Sequence, residues 1–138
     1  MFKKDKSMPV LNRDDILAVD DIQIELTEVP EWFGAVYVKG MTGAERDRFE
    51  SGIISISDKD SKVDMRDIRA KLCSETICDE SGKKQFTLSD VKALSQKSAA
   101  GLQRVFEVAQ RLSGITDDDV KELAGELEES PFEDSAFD

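Results

Sequence analysis

Two hydrophobic periods divide this chain. In "DIQIELTEV", residues 21–29, Ile22, Ile24 and Leu26 alternate with Gln23, Glu25 and Thr27. Period two puts the two sets on opposite sides of an extended backbone, so the pattern predicts a strand whose polar side is the wet one. Pro30 interrupts it, "EWFG" makes a connection, and "GAVYVKGM" resumes a β-rich run through Ala35, Val36, Tyr37 and Val38. A β-hairpin is the economical reading. The second half changes period. In "KSAAGLQRVFEVAQRLSGIT", residues 97–116, Leu102, Val105, Phe106, Ala109 and Leu112 form one continuous helical stripe. Gln103, Arg104, Glu107, Gln110 and Arg111 occupy the other face.

Start and stop signals frame these segments. The first eleven residues, "MFKKDKSMPVL", have no period and read as a mobile arm. Asn12 then caps a short helix, "NRDDILAV", with two acids in its first turn. Thr42 with Glu45 three residues on is a capping box that opens the helix of "TGAERDRFE". Residues 55–62 read as a loop, and a helix is predicted over 63–73 with Met65, Ile68, Leu72 and Cys73 turned inward. "TICDESGKKQFT" reads as a short hairpin around Ser81-Gly82. Thr87 with Asp90 opens a helix carrying Val91 and Leu94, which leads to the stripe. Gly114 suits the left-handed position after the stripe helix, with Ile115 folding back onto Ala109. Thr116 with Asp119 caps a last helix that carries Val120, Leu123, Ala124 and Leu127 on one face.

The predicted architecture is α+β: a small N-terminal β-hairpin region, a mostly helical C-terminal half and an acidic tail. It divides into an arm over 1–11, one domain over 12–115, and an acidic capped helix with its tail over 116–138. The 138 residues, 39% of them apolar, suffice for one core. No run approaches the roughly 20 apolar residues of a membrane span. Cys73 and Cys78, without another thiol, read as small buried hydrophobes in a reduced compartment, with a local disulfide as the alternative.

Charge narrows the partners. Residues 117–138 hold ten acids against one lysine, −9 of the net −11, so the first 116 residues are close to neutral. Phosphate contacts need clustered Lys and Arg, which argues against nucleic acid as a partner. The acidic end solvates the chain or steers a basic partner.

Catalytic parts are scarce. There is no histidine, the commonest general base and metal ligand. No G-x-S-x-G elbow and no Gly-rich phosphate loop occurs. "DKDSKVDMRDIR" at 58–69 starts like a calcium loop, but Lys62, Val63 and Arg69 occupy positions that require an oxygen ligand, glycine and an acid. The C-x4-C pair lacks the two further ligands of structural zinc. The reading is therefore a binding protein rather than an enzyme, with no cofactor and no metal.

Two features can hold a partner. Adjacent Trp32 and Phe33 must diverge if the backbone is regular, sending one ring to the core and leaving the other available; the alternative packs both. The stripe of Leu102, Val105, Phe106, Ala109 and Leu112 is either this protein's own core or one wall of a groove for a foreign amphipathic helix.

The order of these pieces resembles a family of tail assembly chaperones from long-tailed bacteriophages. "VPEWFGAVYVKGMTGAERDRFE" at 29–50 is similar to the family's hairpin-to-helix segment, and "ICDESGKKQFTLSDVKALSQKSAAGLQRVFEVAQRLSGITDDDVKEL" at 77–123 to its second half. The likeness covers most of residues 12–124 and departs at Phe33, where a second small residue is expected. It implies a non-enzymatic protein of the host bacterial cytoplasm, missing from the mature virion. Such a protein keeps the helical tape-measure protein soluble and helps recruit tail-tube subunits, in many relatives through a longer form made by a programmed frameshift. Self-association is compatible with it. An acidic nucleic-acid mimic that binds a basic host protein is the alternative from the charge distribution, and a connector that stays in the virion is a third.

Overall fold

Caps decide where most of the helices begin. The computed structural model describes residues 8–57 and 65–125. Asn12 and Asp15 close a reciprocal box on α1 (Arg13–Ala18), whose side chains are all exposed. Strand β1 (Ile24–Val29), a 3₁₀ turn at Pro30–Trp32 and strand β2 (Gly34–Lys39) make the expected hairpin. Thr42 and Glu45 then cap each other's backbone at the start of α2 (Gly43–Ser57). That helix continues through 55–57, where a loop was expected; 58–62 lie outside the described residues.

The next helix, α3 (Met65–Thr76), outlasts its expected end at Cys73 by three residues and buries Ile68, Leu72 and Cys73. The "TICDESGKKQFT" hairpin is more than local. Its strand β3 (Ile77–Cys78) pairs with β2, giving an antiparallel sheet in the order β1-β2-β3, and Cys78 also bridges to Lys84. Thr87 and Asp90 cap a 3₁₀ turn that runs into α4 (Val91–Leu94). Ser98 caps α5 (Ala99–Ser113), and Gly114, at φ 71°, ends it while Ile115 donates back to the Gln110 carbonyl. A last box, Thr116 with Asp119, opens α6 (Asp117–Leu123).

Helix α5 lies across one face of the sheet. Its stripe is internal: Leu102, Val105, Phe106 and Ala109 are buried against Val29, Val38, Phe49, Ile68 and Leu72, and Leu112 is half-buried. The close fit at the far end depends on Gly40, where a Cβ would stand 2.6 Å from the Leu112 carbonyl oxygen. Two ion pairs mark the direction of the helix. Arg104 reaches Glu31 at 2.8 Å and Arg111 reaches Glu25 at 2.8 Å, so α5 runs antiparallel to β1. The core continues past residue 115, because Ile115 and Val120 belong to it and Arg46 of α2 pairs with Asp119.

The wet face of β1 is the reverse of the expected one. Thr27 and Val29 are buried and Glu25 is half-buried, whereas Ile24 is 41% and Leu26 is 58% exposed. Hairpin register supplies the reason. Thr27 stands opposite Val36, and Glu25 opposite Val38, so β1 must turn the same parity inward as the valines of β2. Glu25 tolerates this place because Arg111 meets it at the rim.

Both cysteines are buried free thiols. Burial pushes the Cys73 thiol up to about 12, leaving it uncharged and inert. Among the described residues no helix is long and apolar enough to cross a membrane.

These positions separate two sets of substitutions. Leu102→Ala is expected to cost about 3 kcal/mol in a denaturant titration, and Leu102→Asp or Phe106→Asp to prevent folding. Leu26→Ser, on the outward side, is expected to change stability by less than about 0.5 kcal/mol.

Candidate functional site

The "PEWF" turn builds an apolar groove. Pro30 stands at the start of the 3₁₀ turn, where its fixed φ fits and its missing N–H costs nothing. The turn closes with the Phe33 N–H donating to the Pro30 carbonyl at 3.0 Å, which leaves Phe33 at φ 59° and ψ 33°. This is the left-handed region, and Phe33 is the only residue other than glycine in it among the described residues. A side chain there costs on the order of 1–2 kcal/mol. The ring gains nothing from the fold in return, since Phe33 is 97% exposed.

Trp32 takes the other direction. It is half-buried against the core, and its ring lies over the first turn of α5. Gly101 makes the approach possible: a Cβ there would meet Trp32 Nε1 at 2.9 Å and Cε2 at 3.1 Å. The indole nitrogen is enclosed without an acceptor, so close packing rather than a hydrogen bond holds the ring. Glu31 ties the same turn to α5 through Arg104, whose hydrogen bond holds the Glu31 carboxyl below its usual range.

Together Trp32 and Phe33 form one side of a groove of about 480 Å³, completed by Phe86, Ala93 and Leu94. Its charges are Glu31, Asp90 and Lys97. Glu31 is committed to Arg104 and Asp90 to the Thr87 cap, whereas Lys97 has an exposed side chain. Such a site is fit to receive an apolar side chain with an acid beside it; nothing in its lining is arranged as nucleophile and base.

Of the residues that the sequence singled out, the structure brings Trp32 and Phe33 to this groove and makes Phe33 the exposed ring. It places Leu102, Val105, Phe106 and Ala109 inside the core, out of reach of a partner, because the sheet needs their face. Leu112, half-buried over Gly40, is likewise apart from the groove. Phe86, Ala93 and Leu94 had not been singled out as site residues. A signal existed for Phe86, which stands just before the Thr87 cap at the spacing of a hydrophobic staple.

Comparison with protein-family models, with curated proteins and with solved structures gives no match to this chain.

Backbone strain and ring exposure can be read separately. Phe33→Gly is expected to leave thermal stability unchanged or to raise it by up to about 1 kcal/mol, since glycine adopts φ 59° freely. Gly101→Ala must displace the indole and is expected to cost about 1–3 kcal/mol. As Trp32 is the sole tryptophan, its emission reports that displacement directly.

Proposed function

We propose that this protein is a tail assembly chaperone that holds apolar helical segments of a tape-measure protein in the groove beside Phe33. One observation carries the reading: a large aromatic ring is fully exposed, on a strained backbone, at the mouth of an apolar groove. Strain of this kind is retained where the side chain has a use outside the fold, and aromatic side chains dominate binding surfaces. The family resemblance names the occupant. Tape-measure helices are long and apolar, and a carrier in the host cytoplasm needs an apolar contact surface kept in solution by charge. Ten acids over 117–138 supply that charge. In this reading the chain performs no chemistry. It hands the coated tape measure on to tail-tube subunits, a longer frameshifted form making that contact, and stays out of the mature particle.

Co-expression with the tape-measure protein, followed by size exclusion of the soluble fraction, tests it. The expected result is soluble, co-eluting tape measure with the wild-type chain, and loss of most of it with Phe33→Gly or Ala93→Glu, both folded. The reading falls if tape measure stays insoluble in every case. It falls equally if both groove variants rescue it as well as the wild type does.

A further inference from the structure

The sheet has two faces, and α5 covers one of them. On the other stand Ile24 and Leu26 of β1, Ala35 and Tyr37 of β2, and Cys78 of β3, since Leu26 is opposite Tyr37 and Tyr37 opposite Cys78. The turn that follows β3 rises over one side of this face. Gly82, at φ 94°, comes so near that a Cβ would be 3.3 Å from the Ile24 Cδ1. Beside the end of β3 lies a cavity of about 450 Å³, lined from this face by Ala35, Tyr37 and Cys78, from the inward parity by Val36 and Ile77, and at its rim by Asp79 and Glu80. It is separate from the groove beside Phe33, with only Phe86 lining both.

We propose that this outer face is a second docking surface, for a partner helix that carries lysine or arginine beside its apolar residues. A half-exposed apolar strand face is an unfinished layer, and the inner face is finished by a helix. Charge selects the occupant. The cavity lining holds two acids, Asp79 and Glu80, and no base. Glu28 stands on the same face of β1, opposite Ala35, and Asp20 and Asp21 lead into the strand. Lys39 and Lys84 share the face but are paired, with Glu45 at 3.3 Å and with Glu75 at 3.1 Å, so exposed Lys83 offsets only one of these acids. Asp79 is held ionised by the hydrogen bonds of its own turn, from the Ser81 hydroxyl and from the Ser81 and Lys83 N–H groups. A second copy laid face to face would bring these acids together in a chain of net charge −11, so self-pairing is opposed. A basic amphipathic helix satisfies both the apolar floor and the acids.

The test is an amide-resolved NMR titration of the full chain with a synthetic leucine–lysine amphipathic helix, and with its leucine–glutamate counterpart. The lysine peptide is expected to shift Ile24, Leu26, Ala35 and Tyr37. Its affinity is expected to fall about tenfold in Glu28→Lys/Glu80→Lys, whose exposed sites leave the fold intact. Phe33→Gly is expected to leave that affinity unchanged, which separates this surface from the groove. The glutamate peptide is expected not to bind. The proposal is overturned by shifts confined to residues 117–138, by equal affinity in the charge-reversed variant, or by equal binding of the glutamate peptide. A sedimentation dimer abolished by Leu26→Asp overturns it too, because the occupant is then a second copy.

Discussion

The packing of α5 on one face of a three-stranded sheet is the contact on which the rest of this structure depends. It consumes the apolar face of α5, through Leu102, Val105, Phe106 and Ala109. Burial of Leu102 and Phe106 alone contributes about 2–3 kcal/mol each. The same contact decides which side of β1 is inside. With Val36 and Val38 facing the helix, register carries Glu25 and Thr27 with them and leaves Ile24 and Leu26 outside. The two ion pairs to α5, from Glu25 and Glu31, are partly exposed and add little energy. Their positions follow the helix direction, and the Glu31 pair ties the turn that displays Phe33 to α5.

The proposed function depends on what that contact leaves over. With the α5 stripe spent internally, the Phe33 groove and the outer face of the sheet remain as apolar surface, beside the exposed side chains of α1 such as Ile16 and Leu17. Glycine marks both places. Gly101 lets Trp32 settle over α5 so that the turn can project its next residue, and Gly82 lets a turn fold down beside Ile24. The proposed chaperone function requires accessible apolar area without aggregation, and the groove and the outer face offer it as separate surfaces in a chain of net charge −11.

Much of the fold was legible in local chemistry. The capping boxes at Asn12, Thr42, Thr87 and Thr116, and the left-handed Gly114, depend on residues within four positions of each other, so a linear reading finds them. The α+β architecture and the hairpin followed from period alone. The parity of β1 did not, because Ile22, Ile24 and Leu26 make the stronger apolar set when the strand is read by itself. Its orientation is set across the hairpin by Val36 and Val38, and by a helix more than 70 residues away. The pairing of Ile77 and Cys78 with β2 is non-local in the same sense. Of the site, adjacency left open whether Trp32 and Phe33 diverge or both pack, because alternation holds only in a regular strand and the chain here leaves a 3₁₀ turn through the left-handed region. Which ring emerges was decided by Gly101, and the groove's other wall, from Phe86 to Leu94, is brought there only by tertiary packing.

The central claim is the assignment of faces: α5 inward, the isoleucine and leucine of β1 outward. Paramagnetic relaxation of methyl groups by a neutral, soluble gadolinium chelate measures it directly. Strong enhancement is expected at Ile24 and Leu26 and almost none at Leu102 and Val105. Protection of Ile24 and Leu26 together with enhancement along Leu102 and Val105 would contradict it, returning the stripe to the surface and the β1 alternation to the core.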